Sequence, residues 1–156
     1  MDITVKNFQS SIPVSISKIK SAARKVVVEL NGRGLINQTP TDISIVFVGS
    51  RRMRTINKKY LGHDYVTDVI TFSLGGETPP LRKGSVGAGL PGPMAEIIIC
   101  PKIAKQNAKA YGVPVAQELL LYVIHGLLHL AGYDDHTPQD IKQMRLKEKE
   151  LLEKLI

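Results

Sequence analysis

The sequence predicts one α/β domain, of the α+β kind, in which four strands form a mixed sheet that packs against helices. Three observations support this prediction. The chain has 156 residues, which suits a single hydrophobic core. Short runs of β-branched residues are separated by longer segments of helical periodicity. No internal repeat or break in composition is visible, so we expect residues 1–156 to form a single domain.

Four segments have the pattern of β-strands. Ile3 and Val5 alternate with polar neighbours, and three later runs are rich in β-branched or other apolar residues. Those runs are 42–48, 67–74 and 95–100. The segment 75–93 holds many glycines and prolines and no periodicity, so we expect a long, mobile loop there.

Five segments have helical character. The first, 17–30, carries apolar residues at helical spacing and is followed by Gly32 and Gly34. A short basic helix follows Ser50, which we expect to be its cap. The other three begin at Pro101, after Pro114 and at the Thr-Pro-Gln-Asp sequence 137–140, which has the composition of a helix cap.

The helix predicted over 115–131 is apolar on nearly every face and carries His125 and His129. Residues four apart on a helix project from the same face, so both imidazoles can bind one ion. Such a pair also occurs as ordinary hydrogen-bonded histidines. On so apolar a helix, however, unpaired imidazoles would be costly, and further ligand-type residues follow at once. We therefore expect His125 and His129 to bind a divalent metal and to be catalytic.

The third ligand is expected just after the helix. Gly132 allows the chain to turn sharply, which can bring either Asp135 or His136 back towards the histidine pair. Two histidines, a third ligand and one open position are typical of catalytic zinc, although another divalent metal is possible. In zinc proteases a general-base Glu follows the first histidine, whereas Gly126 stands there in this chain.

The charge of the chain favours an anionic partner. The net charge is +7, and a basic run lies between the second and third strands. We expect this run to contact the phosphates of a polyanion, although it is also consistent with a solvated helix face. Its candidate residues are Arg51, Arg52, Arg54, Lys58, Lys59 and His63.

The segment 125–134, with the sequence HGLLHLAGYD, resembles the signature of the YbeY family of bacterial endoribonucleases. Segments 57–72 and 95–100 also resemble that family, so the likeness spans about 42–153. The resemblance implies a metal-dependent endoribonuclease that matures ribosomal RNA of the small subunit. It also implies RNA and the ribosomal small subunit as partners.

Two positions depart from the family pattern. The family has His in the slot that Asp135 occupies here, and an ungapped match favours Asp135 over His136 as the third ligand. The family also has Arg where this chain has Leu61, which removes a cation able to stabilise charge on a phosphate.

Two alternatives stay open at this stage. One is a metal-stabilised ribosome assembly factor without activity, and the other is a zinc-dependent peptide or amide hydrolase. No apolar run is long enough for a membrane helix, the N-terminus has no signal layout, and there is one cysteine, Cys100. We therefore expect a cytoplasmic protein without a membrane partner, and the sequence does not predict its oligomeric state.

Overall fold

The computed structural model describes residues 2–32, 42–73 and 94–156. These residues form four strands and five helices, as the sequence predicts. In chain order they are β1 (Asp2–Asn7), α1 (Ile16–Gly32), β2 (Asp42–Phe47), α2 (Ser50–Leu61), β3 (Val69–Ser73), β4 (Met94–Ile99), α3 (Pro101–Tyr111), α4 (Val115–Leu130) and α5 (Pro138–Leu155).

The strands form one mixed sheet in the order β1-β2-β4-β3. β1, β2 and β4 run parallel, with Val5 opposite Ile45 and Ile45 opposite Ile97, whereas β3 runs antiparallel to β4. The predicted mixed four-stranded sheet is therefore confirmed. β3 is an edge strand.

The two faces of the sheet are covered by different helices. Alternate side chains of a strand point to opposite faces, so Ile45 and Phe47 join the core under α1, α4 and α5. Val46 and Val48 point the other way and pack with Met53 of α2. As a result, the basic helix α2 and the histidine-bearing helix α4 lie on opposite faces of the sheet.

Helix α4 approaches the sheet closely at Gly126. A Cβ atom placed on Gly126 would lie only 2.7 Å from Cγ2 of Ile97, which is fully buried on β4. A side chain at position 126 would therefore collide with the sheet. The glycine therefore allows α4 to lie this close to β4.

Most predicted boundaries agree with the structure, and two differ. Gly49, rather than Ser50, is the N-cap of α2, and no side chain caps that helix. Strand β3 begins at Val69, because the carboxylate of Asp68 accepts the Val69 N–H at 2.8 Å before regular pairing starts. Gly34 and the expected loop 75–93 lie outside the described residues.

The start of α5 agrees with its predicted cap. The hydroxyl of Thr137 accepts the N–H of Asp140 at 3.1 Å, and the Asp140 carboxylate accepts the N–H of Thr137 at 3.3 Å. This capping box fixes where α5 begins and thus how it packs along α4. Among the described residues no single helix is long and apolar enough to cross a membrane, although α3 and α4 together, bent by 117°, meet those criteria.

Candidate metal centre

Helix α4 presents His125 and His129 side by side. Their Nε2 atoms are 3.0 Å apart, and their rings meet edge to face with centroids 4.5 Å apart. About a quarter of each side chain is exposed, 25% for His125 and 26% for His129. Both imidazoles therefore reach the same point at the surface, as their spacing predicts.

The turn after α4 brings Asp135 back to the two histidines. Gly132 has φ +94°, a conformation that favours glycine, and its N–H donates to the carbonyl of His129 at 3.0 Å. The reversed chain places Oδ2 of Asp135 3.7 Å from Nε2 of His125 and 3.6 Å from Nε2 of His129. The three ligand-type atoms thus form a small triangle.

This triangle has the size that a metal ion requires. Bonds of about 2.0–2.2 Å to a tetrahedral ion separate its ligand atoms by roughly 3.3–3.6 Å. The edges here are 3.0, 3.6 and 3.7 Å. His125, His129 and Asp135 therefore form a cluster that can hold a metal ion.

Each imidazole also forms a hydrogen bond through its second ring nitrogen, Nδ1. Nδ1 of His125 donates to Oε1 of Glu148 at 2.6 Å, and Nδ1 of His129 donates to the carbonyl of Tyr133 at 3.1 Å. Carboxylates and carbonyls accept hydrogen bonds, so the protons are on Nδ1 and both Nε2 lone pairs are available. Partners of this kind orient metal-binding histidines and make them more basic.

Charges near His125 affect its pKa. Burial is the largest single effect and lowers the pKa, whereas the hydrogen bond and the negative charge of Glu148 raise it. Asp68 and Asp135 act in the same direction, and the net result is a raised pKa. The electrostatics therefore favour a positive charge at this imidazole, whether a proton or a metal ion supplies it.

His136, the alternative third ligand, points elsewhere. Its side chain is 82% exposed and its Nε2 lies 3.2 Å from Oδ1 of Asp134. Asp134, Asp135 and His136 form a second possible cluster, but all three are exposed. The structure thus brings Asp135, and not His136, to the histidine pair.

The sequence analysis missed two residues of this region. Glu148 and Glu118 line, with His125, a cleft of about 570 Å³, and neither was predicted. Asp68 lines the same cleft while its carboxylate accepts the Val69 N–H.

The basic candidates lie away from this cleft. Arg51, Arg54, Lys58 and Lys59 line an open depression of about 740 Å³ on α2, together with Asp64. Asp64 accepts from Nε of Arg54 at 2.8 Å, which lowers the Asp64 pKa.

The remaining candidates near α2 are also surface residues. Arg52 lies over the ring of Phe8 at 5.0 Å, and His63 stacks on Tyr65 with centroids 5.4 Å apart. Leu61 ends α2 and is 49% exposed. None of these side chains lines the cleft beside His125.

The mixed sheet and the cluster of two histidines and one carboxylate define an α+β protein with a candidate metal site, whose donor set is of the type that hydrolases use. A family model described as endoribonuclease YbeY matches residues 4–156. The chain belongs to the endoribonuclease YbeY family. The resemblance seen in the sequence is thereby confirmed.

Individual relatives agree with this assignment. The endoribonuclease YbeY of Elusimicrobium minutum is 44% identical over 103 residues, 66% of each chain. That of Syntrophus aciditrophicus is 31% identical over 97% of this chain and 88% of its own. The solution structure of TM1509 from Thermotoga maritima has a TM-score of 0.59 and 27% identity over 98% of this chain and 88% of its own.

Proposed function

We propose that this chain, acting as one domain over residues 1–156, is a metal-dependent endoribonuclease that takes part in maturation of ribosomal RNA. The observation that carries the proposal is the triangle of His125, His129 and Asp135, whose two imidazoles are each oriented by a hydrogen bond at Nδ1. Family membership supplies the substrate, because the matched relatives are endoribonucleases. The chain is accordingly an RNA-cleaving hydrolase.

Zinc is the proposed metal. Two imidazole nitrogens and one carboxylate oxygen are a donor set typical of catalytic zinc, although other divalent ions accept it too. A bound ion of this kind lowers the pKa of water and polarises a phosphoryl oxygen. His125 and His129 are the catalytic residues in this proposal, and Asp135 completes the ligand set.

Two groups of the chain orient the histidines of this site. Glu148 fixes the ring of His125 from α5, and the carbonyl of Tyr133 fixes the ring of His129 from the turn. Both rings therefore keep their Nε2 atoms towards the same point without reorganisation when substrate binds. The cleft beside them provides room for the RNA next to the cleaved phosphate.

RNA binding is assigned to the α2 surface, with Arg51, Arg52, Arg54, Lys58, Lys59 and His63 as its residues. Because α2 and α4 lie on opposite faces of the sheet, an RNA strand that contacts both has to pass around the sheet, and we propose that it passes the β3 edge. The segment 62–68 leads from α2 to this edge and ends at Asp68, which lines the cleft. Exposed ion pairs such as Arg54–Asp64 contribute little energy and can exchange for phosphate contacts.

The two alternatives are less well supported. The peptide-hydrolase alternative lacks the carboxylate that usually follows the first histidine, because position 126 is a glycine that faces Ile97 without room for a larger side chain. The alternative of an assembly factor without activity is not favoured, because the relatives are named as endoribonucleases. We propose a cytoplasmic location and the ribosomal small subunit as a partner.

A ribonuclease assay tests the proposal. Wild-type protein should cleave single-stranded RNA, and His125→Ala, His129→Ala or a chelator should abolish cleavage. His136 is 82% exposed and lies beside Asp134, outside the triangle, so His136→Ala is the matched control and should still cleave. Cleavage that survives both histidine changes and the chelator would come from a contaminating nuclease and would overturn the proposal.

A further inference from the structure

Glu118 is a buried carboxylate in the cleft that the catalytic proposal does not use. It lies seven residues before His125 on α4, so both side chains share one face of the helix, about 10 Å apart along its axis. The residue is 5% exposed and lines the same cleft as His125. The cleft is therefore lined both by residues of the metal centre, His125 and Asp135, and by Glu118.

Within the described part of the chain, Glu118 has no hydrogen-bond or ion-pair partner. Its pKa is raised by burial, and the negative charges of Asp68 and Glu148 raise it further. Buried polar groups in proteins are almost always satisfied, and one that faces a cleft can be satisfied by a ligand. A carboxylate offers two adjacent acceptor oxygens, so it matches a ligand with two adjacent donors.

The walls around Glu118 suit a flat aromatic ligand. Leu121, Ile141 and Met144 line the cleft with apolar side chains. Tyr111 lies at the rim with 72% of the residue exposed, and an exposed aromatic ring is a surface on which a nucleobase stacks. The cleft volume of about 570 Å³ lies within the range of small-molecule sites.

We propose that the Glu118 end of the cleft is a guanine subsite, which binds the base of a nucleotide next to the cleaved phosphodiester. The inference rests on the proposed endoribonuclease function. Guanine is the RNA base that presents two neighbouring N–H donors, at N1 and N2, on its Watson–Crick edge. The other three bases present a donor beside an acceptor, or a single donor between acceptors, and pair less well with an ionised carboxylate.

The placement of the metal centre agrees with this subsite. About 10 Å along α4 separates Glu118 from His125, a distance that a nucleotide can span from its base to its phosphate. Arg145 lines the same cleft and supplies a cation for the backbone. Guanine N–H donors at Glu118 also stabilise the ionised form of a carboxylate that burial disfavours.

Nucleotide binding tests the subsite without any cleavage. Dissociation constants of GMP, IMP and AMP are measured by calorimetry on zinc-loaded protein; IMP lacks only the N2 amino group. We expect GMP to bind most tightly of the three. Glu118→Gln should weaken GMP binding by about 10–100-fold and change AMP binding little, because hydrogen bonds to a charged partner are lost. Glu153→Gln, an exposed change on α5, is the matched control and should leave all three constants unchanged.

A second variant keeps the test usable if Glu118→Gln does not fold. Tyr111→Ala removes an exposed ring. It should weaken the binding of all three nucleotides and preserve the order of their affinities, with GMP first, IMP second and AMP third. Equal affinities for GMP and AMP in the wild type, or GMP binding unchanged in Glu118→Gln, would overturn the guanine subsite. A preference for AMP or CMP would also overturn it and would indicate a protonated carboxyl group.

Mapping of cut sites on a random-sequence RNA separates this inference from the proposed function. His125-dependent cleavage with guanine enriched beside the cut supports both. Such cleavage without base preference, and without GMP selectivity, would leave the endoribonuclease function standing and overturn the subsite. Selective, Glu118-dependent GMP binding in a protein that cuts no RNA would support the subsite and overturn the endoribonuclease function.

Discussion

Glu148 on α5 fixes the imidazole of His125 on α4 through a hydrogen bond of 2.6 Å between Oε1 and Nδ1. The two residues are 23 positions apart in the chain, and the capping box at Thr137 fixes where α5 begins. Since Glu148 accepts at Nδ1, the proton stays there and Nε2 faces His129 and Asp135. The helix packing therefore sets the protonation pattern that metal binding needs.

Removal of this carboxylate should weaken metal binding without abolishing it. Glu148→Ala should lower zinc affinity by about 10–100-fold, the usual effect of losing a partner behind a metal-binding histidine. Affinity is measured by competition with a chromophoric chelator. Glu153→Ala, on the exposed side of the same helix, should retain wild-type affinity. Equal affinities in both variants would show that Glu148 does not orient the ligand.

The third ligand is tested by a pair of neighbouring substitutions. Asp135→Ala should lose most bound zinc, because Oδ2 of Asp135 lies 3.6–3.7 Å from both Nε2 atoms. His136→Ala should keep close to one equivalent, because that side chain is 82% exposed and is directed at Asp134. Elemental analysis of protein purified without chelator gives the readout. Zinc loss in His136→Ala alone would assign the site to His136 instead.

The sequence predicted part of the candidate site and not the rest, for physical reasons. His125 and His129 lie on one helix, where spacing alone determines that they share a face. Asp135 and His136 remained alternatives, because a loop can present either of two neighbours and only the turn at Gly132 selects one. Glu148 and Glu118 were missed, because the sequence around a carboxylate on an amphipathic or apolar helix does not indicate which distant residue the carboxylate will contact.

The fold shows the same division between local and long-range information. The strands and helices were predicted because hydrophobic periodicity and caps are local signals. The strand order β1-β2-β4-β3 was not predicted. This order, together with the alternating direction of the side chains along β2, puts α2 and α4 on opposite faces of the sheet. The sequence analysis could therefore not show that the basic residues of α2 and the histidines line different depressions.

The contact between α4 and β4 predicts an unusual response to a small substitution. Gly126→Ala should destabilise the protein by up to about 2 kcal/mol, since overpacking at Ile97 costs roughly 1–3 kcal/mol and the gain in helix propensity returns about 1 kcal/mol. Urea denaturation measures the free energy of unfolding. In an Ile97→Ala background the same change should cost nothing or stabilise, because the colliding atoms are gone. Identical costs in the two backgrounds would contradict this account.

RNA affinity should depend on salt through the α2 surface. The logarithm of the binding constant should fall steeply with the logarithm of salt concentration, as expected for phosphate contacts. The double variant Arg51→Ala/Lys59→Ala should reduce that slope by about 1–2. The matched control Arg24→Ala/Lys25→Ala removes the same charge from exposed positions on α1 and should change the slope much less. Equal reductions would show that net charge alone, and not α2, governs binding.

The last prediction concerns Leu61, where the family pattern has an arginine. Leu61 is 49% exposed at the end of α2, so replacement should cost little stability. If a cation at this position stabilises charge on the phosphate during cleavage, Leu61→Arg should raise kcat for single-stranded RNA by about 10-fold or more. Leu61→Gln has a long polar side chain without the charge and should not raise kcat. A change that lowers KM but leaves kcat unaltered would show that the new arginine only binds RNA, and that the metal centre cleaves without help from α2.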